Sequence, residues 1–213
     1  MLPGPLLIKK SNTIILNENI THTARVKFTV AFLIGHLVLP WHTKDSYFYR
    51  KAGKSTILTD DNEEMEAGAF AASLITPPEL LGKDLSTLSS DKISLKDLKT
   101  LADEKYKVSL TSLCHRLIEY DKSRFALINS SNYKIDKVFS GNMLVKEKGL
   151  PLDENSKAYE LLSHPSKEEE LKEGTVNANV WINEAIKNEL LYESSIYNPT
   201  YNAVMTLLTK MKN

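Results

Sequence analysis

Along the chain, stretches whose apolar positions recur every second residue give way to stretches where they recur every third or fourth. Leu6-Leu-Ile and Thr13-Ile-Ile-Leu are β-type runs flanking Lys9-Lys-Ser-Asn, a polar turn of the right size to join two antiparallel strands, so a hairpin is predicted. From Ala24 onward, Val26, Val30, Leu33 and Leu37, with Phe28 and Leu39, follow helical spacing until Pro40 closes the run, and Thr21 or Thr23 is placed to cap its start. This reads as one mostly buried helix. Residues 41–61 lack a clear period and read as a loop with at most a short strand at Ser55-Thr-Ile-Leu. A second helix opens at Asp60-Asp-Asn-Glu-Glu-Met-Glu, whose acidic first turn suits the positive end of the helix dipole. Ala67, Ala69, Phe70, Ala71, Ala72 and Leu74 carry that helix to a stop at Pro77-Pro78.

After a serine-rich connection at 86–90, Ser94-Leu-Lys-Asp marks a capped helix start, with Leu95, Leu98, Leu101 and Ala102 on one face. A turn at Lys105-Tyr-Lys-Val leads to Ser109 as the next cap, and Leu110, Leu113, Leu117 and Ile118 form a second stripe, which predicts a helical hairpin over 94–120. Beyond Arg124, Phe125-Ala-Leu-Ile and Lys134-Ile-Asp-Lys-Val-Phe are β-like around an Asn129-Ser-Ser-Asn turn. Residues 147–175 are charged and turn-rich, and Lys167-Glu-Glu-Glu-Leu-Lys-Glu-Gly reads as a solvated segment. Order returns with Val180-Trp-Ile, Leu190-Leu-Tyr and the apolar run Ala203-Val-Met-Thr-Leu-Leu, and no internal repeat is evident.

Composition narrows the class. The 213 residues carry 27 Lys+Arg against 27 Asp+Glu, a balance that argues against a protein whose main task is neutralising phosphates. Hydrophobic residues at 42% and charged residues at 25% are globular values and exclude wholesale disorder. A lone cysteine, Cys114, removes any disulfide framework and any four-cysteine zinc ribbon, and fits a reducing compartment. The longest apolar stretch, Phe28 to Leu39, falls well short of the ~20 residues that a membrane span needs, and the N-terminus lacks the features of a signal peptide. The expected location is cytoplasmic, with no membrane association.

Two segments carry a recognisable grammar: Arg25-Val-Lys-Phe-Thr-Val-Ala-Phe-Leu-Ile-Gly-His-Leu-Val-Leu, and Glu63-Glu-Met-Glu-Ala-Gly-Ala-Phe-Ala-Ala-Ser-Leu-Ile-Thr-Pro-Pro-Glu-Leu-Leu. They resemble the ImmA/IrrE family of metallopeptidase-like proteins, in which R-x-x-F-T-x-A-H-E-x-G-H-x-x-L is followed by E-x-E-A-N-x-F-A-A-x-L-L-M-P-x-x-L-L. The stretch from Leu98 to Leu117 is similar to the family's L-A-x-x-[FY]-x-V-S-x-x-x-L-x-x-R-L hairpin. Glu193-Ser-Ser-Ile-Tyr and Val204-Met-Thr-Leu-Leu resemble its closing E-x-S and L-T-L-L elements. The resemblance implies an α+β fold: a zincin-like core of two packed helices, a small N-terminal β-sheet, a helical hairpin and a less regular C-terminal β-containing region. The expected organisation is a metallopeptidase-type domain over 1–123, including the hairpin, with a C-terminal α/β extension over 124–213 packed on it.

The family's H-E-x-x-H pair sets two imidazoles on one helix face toward a single zinc ion, with the glutamate as general base. Here the window reads Phe32-Leu33-Ile34-Gly35-His36: the first ligand is Phe32, the base is Leu33, and only the second histidine remains. The resemblance implies Glu64 as the third ligand, with Glu66 second in line, so His36 and Glu64 form a degenerate metal pair. Phe32 and Leu33 are expected to fill with apolar atoms the space of a metal and its water, although His42 or His22 could fold back toward His36. No cofactor is therefore expected, with zinc reserved for the alternative of a rebuilt site. Trp41, His42 and Glu66 are placed at a partner-binding cleft.

Active members are described as relieving helix-turn-helix repressors, so the leading expectation is a non-catalytic regulator that binds such a repressor or a similar protein. The alternatives are a zinc endopeptidase with a rebuilt site, and DNA binding through the 95–118 hairpin with Arg116 at its centre. Against direct DNA binding, Asp97, Asp103, Glu104, Glu119 and Asp121 are interleaved with the hairpin's basic residues.

Overall fold

The computed structural model describes residues 4–16, 23–49, 61–88, 92–183 and 189–211. It is a mixed α+β structure, with six α-helices and two antiparallel sheets among the described residues. The chain forms two compact units, Met1–Pro78 with Glu104–Ser109, and Glu79–Asp103 with Leu110–Asn213.

The first unit opens with the predicted hairpin. Strands β1 (Leu6–Ile8) and β2 (Thr13–Ile15) are joined by a 3-10 turn, and Asn12 takes the left-handed conformation that closes it. A third strand, β3 (Ser46–Phe48), pairs with the other edge of β1 and puts Tyr47 opposite Leu7, both buried. The sequence reading left this strand as loop because it is three residues long and follows no periodic run. The strand suggested at 55–58 and the cap at Thr21 lie outside the described residues.

Helix α1 (Thr23–Val38) buries Thr29, Ala31, Phe32, Leu33, Gly35 and His36. Helix α2 (Asp61–Ile75) turns a single row inward, Glu63, Ala67, Ala71 and Ile75, each four residues from the last and so one above another on the same face. The small residues let the two helices meet backbone to backbone: a Cβ on Gly35 would sit 3.1 Å from Ala67 Cα. Because α1 presents no side chain at this point, its last turn lies directly beside the acidic start of α2.

Past the end of α2 the first departure from expectation is α3 (Pro78–Thr87). Pro77-Pro78 ends α2, but Pro78 also opens this new helix, as proline does readily at a first helical position, where its missing N–H would bond nothing. Helix α4 (Leu95–Thr100) is capped by Ser94, whose hydroxyl accepts from Lys96 N–H, and continues as a π-helix over Leu101–Tyr106. The predicted turn at Lys105 therefore moves to Lys107–Ser109, with Lys107 left-handed. Helix α5 (Leu110–Tyr120) buries Leu113, Cys114, Leu117 and Ile118, and burial pushes the Cys114 thiol up to about 12.

The C-terminal region is more regular than expected: a five-stranded antiparallel sheet in the order β5-β4-β8-β7-β6. Strands β4 (Phe125–Ser131) and β5 (Lys134–Ser140) turn at Asn132–Tyr133, both with positive φ, later than the predicted 129–132 turn. The charged segment read as solvated instead supplies β6 (Glu170–Asn177), preceded by α6 (Lys157–Ser163). This strand sits at the edge of the sheet and is mostly half-exposed, so its charged side chains reach solvent while its backbone pairs with β7 (Leu190–Asn198). Strand β8 (Ala203–Lys210) completes the sheet.

The E-x-S element is a packing device. Glu193 is fully buried and accepts hydrogen bonds from Ala158 N–H, Trp181 Nε1 and Ser195 Oγ, each 2.9 Å. The Ser195 hydroxyl also lies 2.8 Å from Thr206 Oγ1 across the β7–β8 ladder. Burial raises the Glu193 carboxyl despite these donors. No helix among the described residues is long and apolar enough to cross a membrane.

Candidate functional site

The polar cluster of the first unit is built where α1 ends. Pro40 cannot continue the helix, and the chain folds back so that His42 N–H bonds to Leu39 O at 3.2 Å. Lys9, reaching from the 3-10 turn after β1, donates its ammonium to the carbonyls of His36 (2.9 Å), Leu39 (3.3 Å) and His42. A cation at this position satisfies carbonyls left over at the helix C-terminus and suits the negative end of its dipole.

The reversal brings His42 against His36. Both are fully buried, and their Nδ1 atoms are 2.8 Å apart. On its other side, His42 Nε2 lies 3.0 Å from Glu66 Oε2, the same oxygen that accepts from Trp41 Nε1. His36 Nε2 lies 3.6 Å from Glu64 Oε1 and makes no hydrogen bond. Tyr47 of β3 stacks on the His36 ring, with centroids 4.0 Å apart, and Phe32 meets it edge-on at 4.9 Å. Lys44 pairs with Glu63 at 2.7 Å.

These contacts set the charges. Burial, with the nearby His42, lowers the His36 pKa to about 4, so its ring is neutral at neutral pH. Burial also works against ionisation of Glu63, but the Lys44 hydrogen bond and charge outweigh it and the net shift is downward. Hydrogen bonds from Trp41 and then His42 hold Glu66 below the ordinary glutamate value. Tyr47 is raised by burial.

The structure thus gathers His36, Glu64, His42, Glu66 and Trp41 into one cluster. His22 lies outside the described residues. Leu33 is fully buried, and Phe32, 6% exposed, packs its ring on Phe28 and Tyr49 as well as His36. Arg116, in the second unit, pairs with Glu119, and its side chain is 14% exposed. The sequence reading missed Lys9 and Lys44. A lysine 27 residues before the carbonyl it caps leaves no local pattern, and Lys44 finds Glu63 only because the chain turns at Pro40.

A catalytic zinc takes three protein donors, with nitrogens at about 2.0–2.1 Å, which places neighbouring donors about 3.3 Å from each other in a tetrahedron. The facing Nδ1 atoms, at 2.8 Å, are instead at hydrogen-bond distance. Among the described residues no three His, Cys, Asp or Glu side chains are grouped to hold a metal ion, so the donors as arranged do not fit such a site. What the cluster offers is a buried imidazole lone pair and carboxylates half open to solvent: Glu64 is 38% and Glu66 46% exposed.

None of the curated proteins compared matches the chain. The family model described as IrrE N-terminal-like domain, Peptidase_M78, matches residues 4–118, more than half of the chain, and covers the sheet, α1, α2 and the whole histidine–carboxylate cluster. On this match the chain belongs to the Peptidase_M78 family of IrrE N-terminal-like domains.

Proposed function

We propose that this protein is a non-catalytic member of its family that regulates by binding and sequestering a protein partner, a helix-turn-helix repressor or a protein like it. The observation that carries the reading is the pair Phe32 and Leu33 on the helix that retains His36. Metal-assisted hydrolysis needs a proton acceptor beside the metal-bound water. Leucine has none, and a buried phenyl ring supplies no ligand. Both side chains are packed as core, so restoring polar groups there would leave them desolvated.

The test combines zinc content by elemental analysis with incubation of the purified protein and a candidate helix-turn-helix repressor. The expected result is a stable complex, detected by size exclusion or calorimetry, in which the repressor remains intact. Zinc-dependent cleavage of the repressor, or the absence of any complex, defeats the reading.

One observation favours a second reading, a zinc endopeptidase with a rebuilt site: the return of His42 gives His36 a second imidazole from outside the helix. It requires one zinc per chain, lost on His36→Ala, and activity lost on Glu64→Gln. A protein with neither metal nor cleavage ends it.

A further inference from the structure

We propose that the outer edge of β5 receives an extended, acidic segment of a protein partner, which adds to the five-stranded sheet as a sixth strand. The site belongs to the second unit and stands whether or not the histidine–carboxylate cluster binds a repressor. Because β5 ends the sheet, one row of its backbone groups has no neighbouring strand. Only the start of that row is covered: Ile135 N–H donates to Leu150 O at 3.0 Å, Gly149 N–H donates to Ile135 O at 2.7 Å, and Lys134 bridges Pro151. Ile135 therefore directs its backbone away from β4, where it lies opposite Ser130. Positions along β4 alternate between bonding toward β5 and away from it, and Asp136 is the extra residue of a bulge. Val138 and Ser140, opposite Ile128 and Ala126, consequently turn their N–H and C=O outward as Ile135 does.

The chain after β5 turns back but does not cover these groups. Val145 bridges Ile182 instead, and Lys146 donates its N–H to Trp181 O at 2.8 Å and its ammonium to Val180 O at 2.9 Å. Drawn off in this way, the segment leaves a cleft of about 520 Å³ between itself and β5, lined by residues 136–138 and 145–148. Among the described residues no backbone hydrogen bond joins Val138 or Ser140 to the returning segment. The outward groups of Val138 and Ser140 recur two residues apart, about 6.8 Å, which is the repeat another strand presents. Val138 and Val145 pack on the core beneath and give the cleft an apolar floor, and Leu144 beside it is 72% exposed. Charge selects the occupant. Lys137, Lys146 and Lys148 line the cleft against Asp136 and Glu147, and Lys134 stands at its covered end, so carboxylates on the incoming strand meet an excess of cations. The same lysines oppose β5 of a second copy, which would bring like charges together across the new ladder.

The experiment titrates the full chain, labelled with nitrogen-15, with the peptide acetyl-Glu-Val-Glu-Val-Glu-amide at pH 7.5 and low salt, and reads the backbone amides. The Val138 and Ser140 signals are expected to shift saturably, and their exchange with deuterium to slow. Lysine in place of the three glutamates should weaken binding at least tenfold. N-methylation throughout the peptide keeps its side chains, removes its backbone donors, and should abolish binding. Lys137→Glu combined with Lys148→Glu, both at exposed positions, should weaken binding about tenfold with the far-ultraviolet circular dichroism unchanged. A flat titration overturns the proposal, as does equal binding of the lysine peptide, which removes the acidic preference, or of the N-methylated peptide, which removes the strand. Self-association of the peptide-free chain in sedimentation velocity, lost in the double variant, overturns it in favour of a second copy.

Discussion

Removing the titratable ring at position 36 should flatten the dependence of stability on pH. In the folded protein the His36 pKa lies at about 4, against 6.5 for an unhindered histidine, with burial the main cause and His42 the second. The sign follows from proton counting: between these two values the unfolded chain binds a proton that the folded chain refuses, so stability falls as pH falls. Integrating from pH 7 to pH 5, His36 alone should remove about 2 kcal/mol. The carboxylates of the cluster barely contribute to this window, and Glu193, raised by burial, trends the opposite way in wild type and variant alike. Glu63 and Glu66 are shifted downward, so the stability they supply is present above the ordinary glutamate value of 4.5 and is lost only as pH drops through their folded values. His115, also lowered by burial, adds a similar trend and must be subtracted. His36→Phe keeps a ring against Tyr47 and Phe32 while abolishing titration, and serves as the reference. Guanidinium chloride unfolding of both proteins at pH 7, 6 and 5 should show the wild type losing about 2 kcal/mol more than the variant across that range. Parallel profiles would refute the reasoning, because a buried neutral imidazole cannot escape this linkage.

Four further variants test the packing and the end of α1. Gly35→Val places a branched side chain against the Ala67 backbone, already 3.1 Å from a bare Cβ, and should cost about 2 kcal/mol in chemical denaturation. Gly35→Ala should cost less, because relief of glycine's helix penalty of about 1 kcal/mol offsets part of the contact. Glu193→Ala strands the N–H of Ala158 and the indole of Trp181 in the core and leaves the Ser195 hydroxyl with Thr206 alone, for a loss of about 3 kcal/mol or more and an altered tryptophan emission. Lys9→Met removes the cation from the end of α1 and should destabilise by about 1–2 kcal/mol while shifting the His42 ring signals; unchanged His42 signals would show that Lys9 does not hold that loop.

Much of this architecture is written locally. The apolar period of α1, the acidic opening of α2 and the Ser94 cap each act within a turn or two of chain, and each lies where the pattern places it. The misses are of another kind. Strand β6 reads as a charged coil because one face and one edge of it meet solvent, and its partner β7 supplies the order from about twenty residues further along the chain. Proline 78 obeys two rules at once, ending one helix and starting another, and only the second was overlooked. At the site, His36, Glu64 and Glu66 were singled out through the family resemblance, and the structure sets Glu64 beside His36 and Glu66 beside His42. The meeting of His36 with His42 depends on a chain reversal and on a lysine from the other end of the domain, and neither leaves a periodic trace.

The Lys9 contact changes what governs the cluster. Two histidines four residues apart on one helix are fixed to each other by the helix itself, and their spacing survives any change that leaves the helix intact. His36 and His42 have no such guarantee. Their separation is set by a loop that a single ammonium draws toward three carbonyls, so a substitution at position 9, outside the cluster, can retune it without touching either imidazole. The hairpin, rather than the helix, sets the geometry of the cluster, and a change in that hairpin is the way to alter it without touching the helix.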